Sequence, residues 1–312
     1  MVRSQPNRSL TLIRTIALTA GRVFTGHQRR LQLWLLLSAA TLALLFSAEH
    51  WIPRWSDSSA IAPVTVLAIF GAALLCEYLD SSLGMGYGTT LTPILLIVGF
   101  EPMAIVPAVL LSELITGVAA GLLHQRDGNI DLPNDRRARK TLFLLAILSS
   151  AGALAAVTLA VRLPGPWFGY AIVAIVLAMG VVTLGSARRR IRYRPAGILA
   201  IGGIAAFNKG LSGGGYGPLV TSGQVVSGIP ARQAVVVTSL AESFTCLIGL
   251  GAYVLVKGPP DPALSLPLAA GALLSVPWAT VTVRYLPEST IRAAVGALTL
   301  ILGLVSLAKL LT

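Results

Sequence analysis

Five ionisable residues stand inside stretches that are otherwise apolar: Glu77, Asp80, Glu113, Lys209 and Glu242. A charge at the centre of a bilayer helix costs roughly 2.5–3.5 kcal/mol on insertion scales, so such residues pair with one another or line a pathway. Asp80 and Lys209 carry opposite signs. They suit an ion pair that braces the molecule. They equally suit a division of labour, in which Lys209 neutralises an anionic substrate while Asp80 takes a proton or orients Lys209. Glu113 and Glu242 each fall in the middle of an apolar run. A buried carboxylate there can carry a coupling proton or accept N–H bonds from a broken backbone, and both readings stay open. Glu77 lies about one helical turn from Asp80 and joins the same group.

Two glycine-rich interruptions accompany these charges, Gly84-Met85-Gly86-Tyr87-Gly88 and Gly213-Gly214-Gly215-Tyr216-Gly217. Glycine permits positive φ and lets backbone approach a ligand closely. Each interruption precedes an apolar segment, 89–100 or 217–228, that is too short to cross the hydrocarbon as a helix. The pattern reads as helix, turn, half-helix. Half-helices starting near Thr89 and Pro218 would aim free N–H groups and positive dipole ends at the break, where an anion fits. Ser81, Ser82, Thr89, Thr90, Asn208, Ser212, Thr221 and Gln224 add hydroxyls and amides around the two breaks. Tyr87 and Tyr216 could donate a hydroxyl to substrate or pack. The bland alternative is that the glycines serve close helix packing alone.

Elements must bring these residues together, and a duplication supplies the pattern. Sliding the chain by 129 residues, the step from Gly84 to Gly213, aligns the two breaks without a gap. The same step places Thr92 on Thr221, Gly99 on Gly228, Glu113 on Glu242, Thr116 on Thr245 and Asp80 on Lys209. Hydrophobic residues make up 55% of the chain, charged ones only 12%, and the mean hydropathy is +0.79. Soluble domains carry about twice that charged fraction, so the long apolar blocks read as membrane spans. They fall at 31–48, 61–83, 102–124, 141–161, 165–187, 196–211, 230–256, 262–284 and 288–311, with the two short segments between. The basic connections 125–140 and 186–195 set orientation by the positive-inside rule. On that rule the first repeat starts outside and the second inside, with a cytoplasmic N-terminus and a periplasmic C-terminus. The expected architecture is an all-α polytopic bundle of two inverted-topology repeats, each with a glycine-interrupted re-entrant pair, plus an extra N-terminal transmembrane helix. Its parts are a basic tail (1–30), a first span and outer loop (31–60), repeat one (61–195) and repeat two (196–312). Inverted repeats with broken helices belong mostly to secondary transporters that bind substrate near the midplane.

Other classes fit poorly. The net charge of +12 sits in short connections beside apolar blocks, which argues against a nucleic-acid partner. Cys76 and Cys246 lie in apolar runs with no CxxC and read as small buried hydrophobes. There is no GxxxxGK[ST] loop for ATP and no ligand-spaced cluster for a metal, so no cofactor is expected. Gly210-Leu211-Ser212-Gly213 matches a GxSG pattern, yet none of the three histidines (His27, His50, His124) follows Ser212 to serve as its base. His124 is expected at or beyond a membrane end. The expected partners are the lipid bilayer, a small anion and a coupling proton or Na+, and a homodimer is compatible with the sequence.

Gly84 to Gly88 with its Pro/Thr-rich half-helix, then Gly99-Phe100-Glu101-Pro102 and a helix ending near His124, Arg126, Gly128 and Asn129, resembles the TauE/SafE family of sulfite and organosulfonate exporters. In the second half, Gly213 to Gly217 followed by Gly228-Ile229-Pro230-Ala231-Arg232-Gln233-Ala234-Val235 and Thr238-Ser239-Leu240 carries the same likeness. The resemblance covers roughly 61–311. It implies export of small sulfur-containing anions across the cytoplasmic membrane, with the break residues at the binding site. Glu77, Asp80, Asn208 and Lys209 stand where that family is mostly apolar, so the chain looks like a distinct branch.

Overall fold

Proline and glycine punctuate the helices and set where each begins and ends. A computed structural model describes residues 63–186, 195–226, 229–282 and 288–311. The expected basic tail, the first span and its outer loop, and the arginines of 187–194 lie outside the described residues. The described part belongs to one compact unit. In chain order its helices are α1 (Pro63–Leu83), α2 (Tyr87–Val98), α3 (Pro102–Arg126), α4 (Arg136–Ala160), α5 (Gly165–Ser186), α6 (Pro195–Ser212), α7 (Tyr216–Val226), α8 (Ala231–Lys257), α9 (Pro262–Thr282) and α10 (Glu288–Leu311). No strand occurs among the described residues.

Proline opens α3, α6 and α9, a position where its missing N–H costs nothing. Gly99 ends α2 in the left-handed region, its N–H returning to the carbonyls of Leu95 and Leu96, the expected glycine stop. α4 starts at Arg136, earlier than the expected 141. Asp135 is the reason, because its carboxylate accepts the Ala138 N–H at 2.9 Å and caps the helix. The arginines assigned to a loop therefore form the first turn of α4. The half-helices likewise start at Tyr87 and Tyr216, two residues before Thr89 and Pro218.

The protein is an integral membrane protein. Among the described residues six helices, α1, α3, α4, α5, α8 and α9, are long and apolar enough to cross a bilayer, while α2 is a short apolar helix. Large side chains such as Leu67, Leu122, Phe143, Trp167, Leu255 and Ile301 are exposed on their outer faces, as lipid contact requires. Partners are exchanged between the two sequence-matched segments. α1 packs most extensively on α9, and its counterpart α6 packs on α4. α3 meets its own counterpart α8, and α5 meets α10. α3 also packs on α9, and α8 on α4. Small residues allow these approaches: a Cβ on Gly271 would overlap the Phe70 backbone, and one on Gly121 would overlap Leu240.

Candidate functional site

The two glycine breaks meet at the centre of the bundle, backbone against backbone. A Cβ on Gly88 would overlap the carbonyl of Gly213, and one on Gly217 would overlap the carbonyl of Gly84. These contacts are counterparts under the 129-residue step. The turns share their geometry: Gly84 and Gly213 have φ of 70° and 73°, and Gly86 and Gly215 have 127° and 85°. Only glycine adopts those angles without strain.

Each half-helix is strapped to the opposite break. Thr92 of α2 donates to the Ser212 carbonyl at 3.0 Å, and Thr221 of α7 donates to the Gly84 carbonyl at 3.0 Å. Carbonyls at a broken helix end lack intrahelical partners, and these hydroxyls supply them. Tyr87 and Tyr216 are fully buried. Their hydroxyls are engaged, Tyr87 with Ser112 at 2.7 Å and Tyr216 with Ser149 at 2.8 Å.

The ionisable residues converge beside the breaks, with a changed pairing. Lys209, fully buried, forms ion pairs with Glu113 and, at 2.8 Å, with Glu242. Asp80, considered above as its partner, forms no ion pair among the described residues and instead accepts the Tyr87 N–H at 3.4 Å. The physical reason lies in the packing of α3 on α8. That contact brings the two matched glutamates face to face, and one ammonium between two carboxylates offsets most of their mutual repulsion. Glu77 accepts the Ser81 hydroxyl at 2.6 Å, and its other oxygen has no hydrogen-bond partner among the described residues. A narrow pocket lined by Glu77, Asp80, Glu113, Thr116, Gly117, Ser239 and Glu242 has room for about one water molecule.

The remaining candidates divide by repeat. Ser82, Thr89 and Thr90, around the first break, are buried with unpartnered hydroxyls. Around the second, Ser212 donates to the Asn208 carbonyl at 2.8 Å and accepts the Gly214 N–H at 3.2 Å. Its hydroxyl is thus spent on the turn. The Asn208 amide reaches the Met179 sulfur at 3.6 Å. Gln224 donates to Thr238 at 2.9 Å, and Thr238 shares a hydrogen bond with Thr221.

Nothing in the sequence indicated the positioning role of His124 and Asn129. His124, in the last turn of α3, is fully buried. Its Nε2 lies 3.0 Å from the Ser81 carbonyl and its Nδ1 lies 2.9 Å from the Asn129 amide. A carbonyl can only accept, so Nε2 carries the proton and Nδ1 accepts. Asn129 also donates to the Thr280 carbonyl at 3.0 Å. This latch ties the last turn of α1, just before the first break, to the ends of α3 and α9. The run His124 to Asn129 was visible as a motif, but its reach of 43 residues back to Ser81 was not.

A helical membrane bundle with interrupted helices meeting at its centre is the architecture of a membrane transporter. The family profile described as "Sulfite exporter TauE/SafE" matches residues 67–306, and the chain belongs to that family of membrane transporters. It is similar to the "Probable membrane transporter protein YtnM" of Bacillus subtilis (strain 168), with 33% identity over 167 residues, covering 50% of this chain and 52% of that protein. The chain thus spans about half the length of this curated relative. No solved structure matches.

Proposed function

We propose that this protein is a secondary transporter that moves a small anion, sulfite, an organosulfonate or a related sulfur-containing anion, across the cytoplasmic membrane by alternating access. The observation that carries the reading is the buried meeting of the two glycine breaks, each opening a half-helix. Helix N-termini at membrane depth favour an anion, and Lys209 supplies the local cation. The matched, oppositely oriented repeats inferred from the sequence fit a carrier that opens to one side and then the other. In the closed arrangement the breaks touch, so substrate enters only when they part. The site residues in this reading are Gly84 to Thr89, Asn208, Lys209, Ser212 to Tyr216, Thr221 and Gln224, with Ser81 and Ser82. A proton or Na+ couples through the carboxylates. The N-terminus is cytoplasmic and the membrane is the inner one.

The test is uptake and efflux of labelled sulfite, sulfoacetate, taurine and simple carboxylates in proteoliposomes, with and without a pH gradient. Saturable flux with counterflow is expected for at least one sulfur-containing anion. Unsaturable flux without counterflow would make the protein a channel, and flux of carboxylates alone would remove the sulfur assignment.

A further inference from the structure

The two breaks differ in what holds the start of the half-helix. Gly86, the N-cap of α2, provides no side-chain cap. The Tyr87 N–H turns instead to Asp80, at 3.4 Å. That is longer than the usual N–H···O range of about 2.7–3.2 Å, so the hold is loose. The Asp80 carboxylate nonetheless sits at the positive end of a 12-residue helix, where a bound anion would be stabilised. The hydroxyls of Ser82, Thr89 and Thr90 stand at the same end, each at most 3% exposed and unpartnered. A buried hydroxyl without a partner is unfavourable. This end of α2 therefore holds more donors than Asp80 uses. In the second repeat the equivalent position is Lys209, which can accept nothing.

Asp80 is surrounded by acid. Glu77 of its own helix, Glu113 of α3 and Glu242 of α8 share its pocket. Lys209 of α6 is bound to the last two, and Tyr87 of α2 makes the remaining contact. α9, packed along α1, carries no acidic, basic or histidine residue. An anion arriving at α2 would meet the charge of an ionised Asp80. A protonated Asp80 releases both that charge and its claim on the Tyr87 N–H.

We propose that Asp80 is a tethered stand-in for the transported anion at the N-terminus of α2, and that its protonation and displacement accompany anion binding, so that proton and anion travel together. This rests on the carrier reading above. The carboxylates of this pocket are not arranged as a three-ligand metal site among the described residues, and the coupling ion is a proton.

Methanesulfonate, the anion of a strong acid, is the probe, since its own charge does not titrate. In proteoliposomes a methanesulfonate gradient across the wild-type protein drives protons in the same direction, read by an internal pH dye. Its binding weakens by roughly tenfold per pH unit above the Asp80 titration. Asp80→Asn removes the competing charge. It should bind methanesulfonate about tenfold tighter or better in alkaline buffer, with a flat pH profile and no proton flux. Misfolding cannot produce a gain in affinity, and if the variant fails to fold the wild-type flux alone decides. Methanesulfonate flux without proton movement, with opposite proton movement or with dependence on Na+ instead would overturn the inference and leave the carrier intact. Overturning also follows if Asp80→Asn keeps the wild-type pH slope. If the wild type moves neither methanesulfonate nor any anion named above, the carrier reading fails first and takes this inference with it.

Discussion

The two breaks share a backbone and differ in chemistry. Their glycines adopt matching angles, touch through reciprocal carbonyl contacts and receive reciprocal threonine straps. Around the second break the polar groups are largely satisfied, through Ser212 on its own turn and Gln224 on Thr238. Around the first, three hydroxyls have no partner, and an aspartate occupies the half-helix end. Among the described residues Glu77 and Asp80 form no ion pair, while their counterparts under the 129-residue step are Ala206 and Lys209. The two breaks share the geometry that brings two helix ends together. One end is closed by its own polar groups and the other keeps unused donors, so a matched frame carries an asymmetric site.

That contrast can be broken most forcefully at its only shared cation among the described ionisable residues of the site. Lys209→Met leaves Glu113 and Glu242 facing each other in a buried setting. A loss of about 3–5 kcal/mol is expected for breaking such a network, together with abolished transport, measured by unfolding in mixed micelles and by proteoliposome flux. Unchanged stability would mean the glutamates are not ion-paired through Lys209. Next come the matched contacts. Gly88→Ala and Gly217→Ala should each cost about 1–3 kcal/mol, as overpacking does, because each new Cβ meets a carbonyl of the other break. Similar melting-temperature losses for both would support the geometric equivalence, and a silent member of the pair would refute it. The straps give the smallest effect. Thr92→Val and Thr221→Val should each cost about 0.6–1.7 kcal/mol, the range for interhelical hydrogen bonds in membranes. Thr221→Val should cost more, since Thr221 also bonds Thr238. A larger loss from Thr92→Val would show that the first break, not the second, bears the greater polar load.

Much of this was legible in the chain. Apolar block lengths located the six described helices long enough to cross a bilayer, since the bilayer fixes how much hydrophobic helix is needed, whereas the blocks at 196–211 and 288–311 form helices that do not reach that length and hydropathy among the described residues. The 129-residue match located the breaks, because positive φ in a buried turn demands glycine at those positions. Pairings across the bundle were not legible. Lys209 aligns with Asp80 in the repeat, but its ion pairs are set by how α3 and α8 pack, which no spacing within either repeat encodes. His124 closes an apolar helix near a basic loop, and only the folded chain brings it against Ser81. The early start of α4 was available in Asp135, yet four nearby basic residues made a loop the simpler reading.

The exchange of partners between repeats has a consequence for how this molecule is made. α1 finds its main neighbour in α9 and α4 finds its own in α6, so a nascent first repeat emerges with two helices whose docking faces await sequence not yet translated. Until α9 is synthesised, the face of α1 that packs on it has only lipid, water or the insertion machinery for company. Separately encoded halves should therefore be degraded when expressed alone and rescued when expressed together.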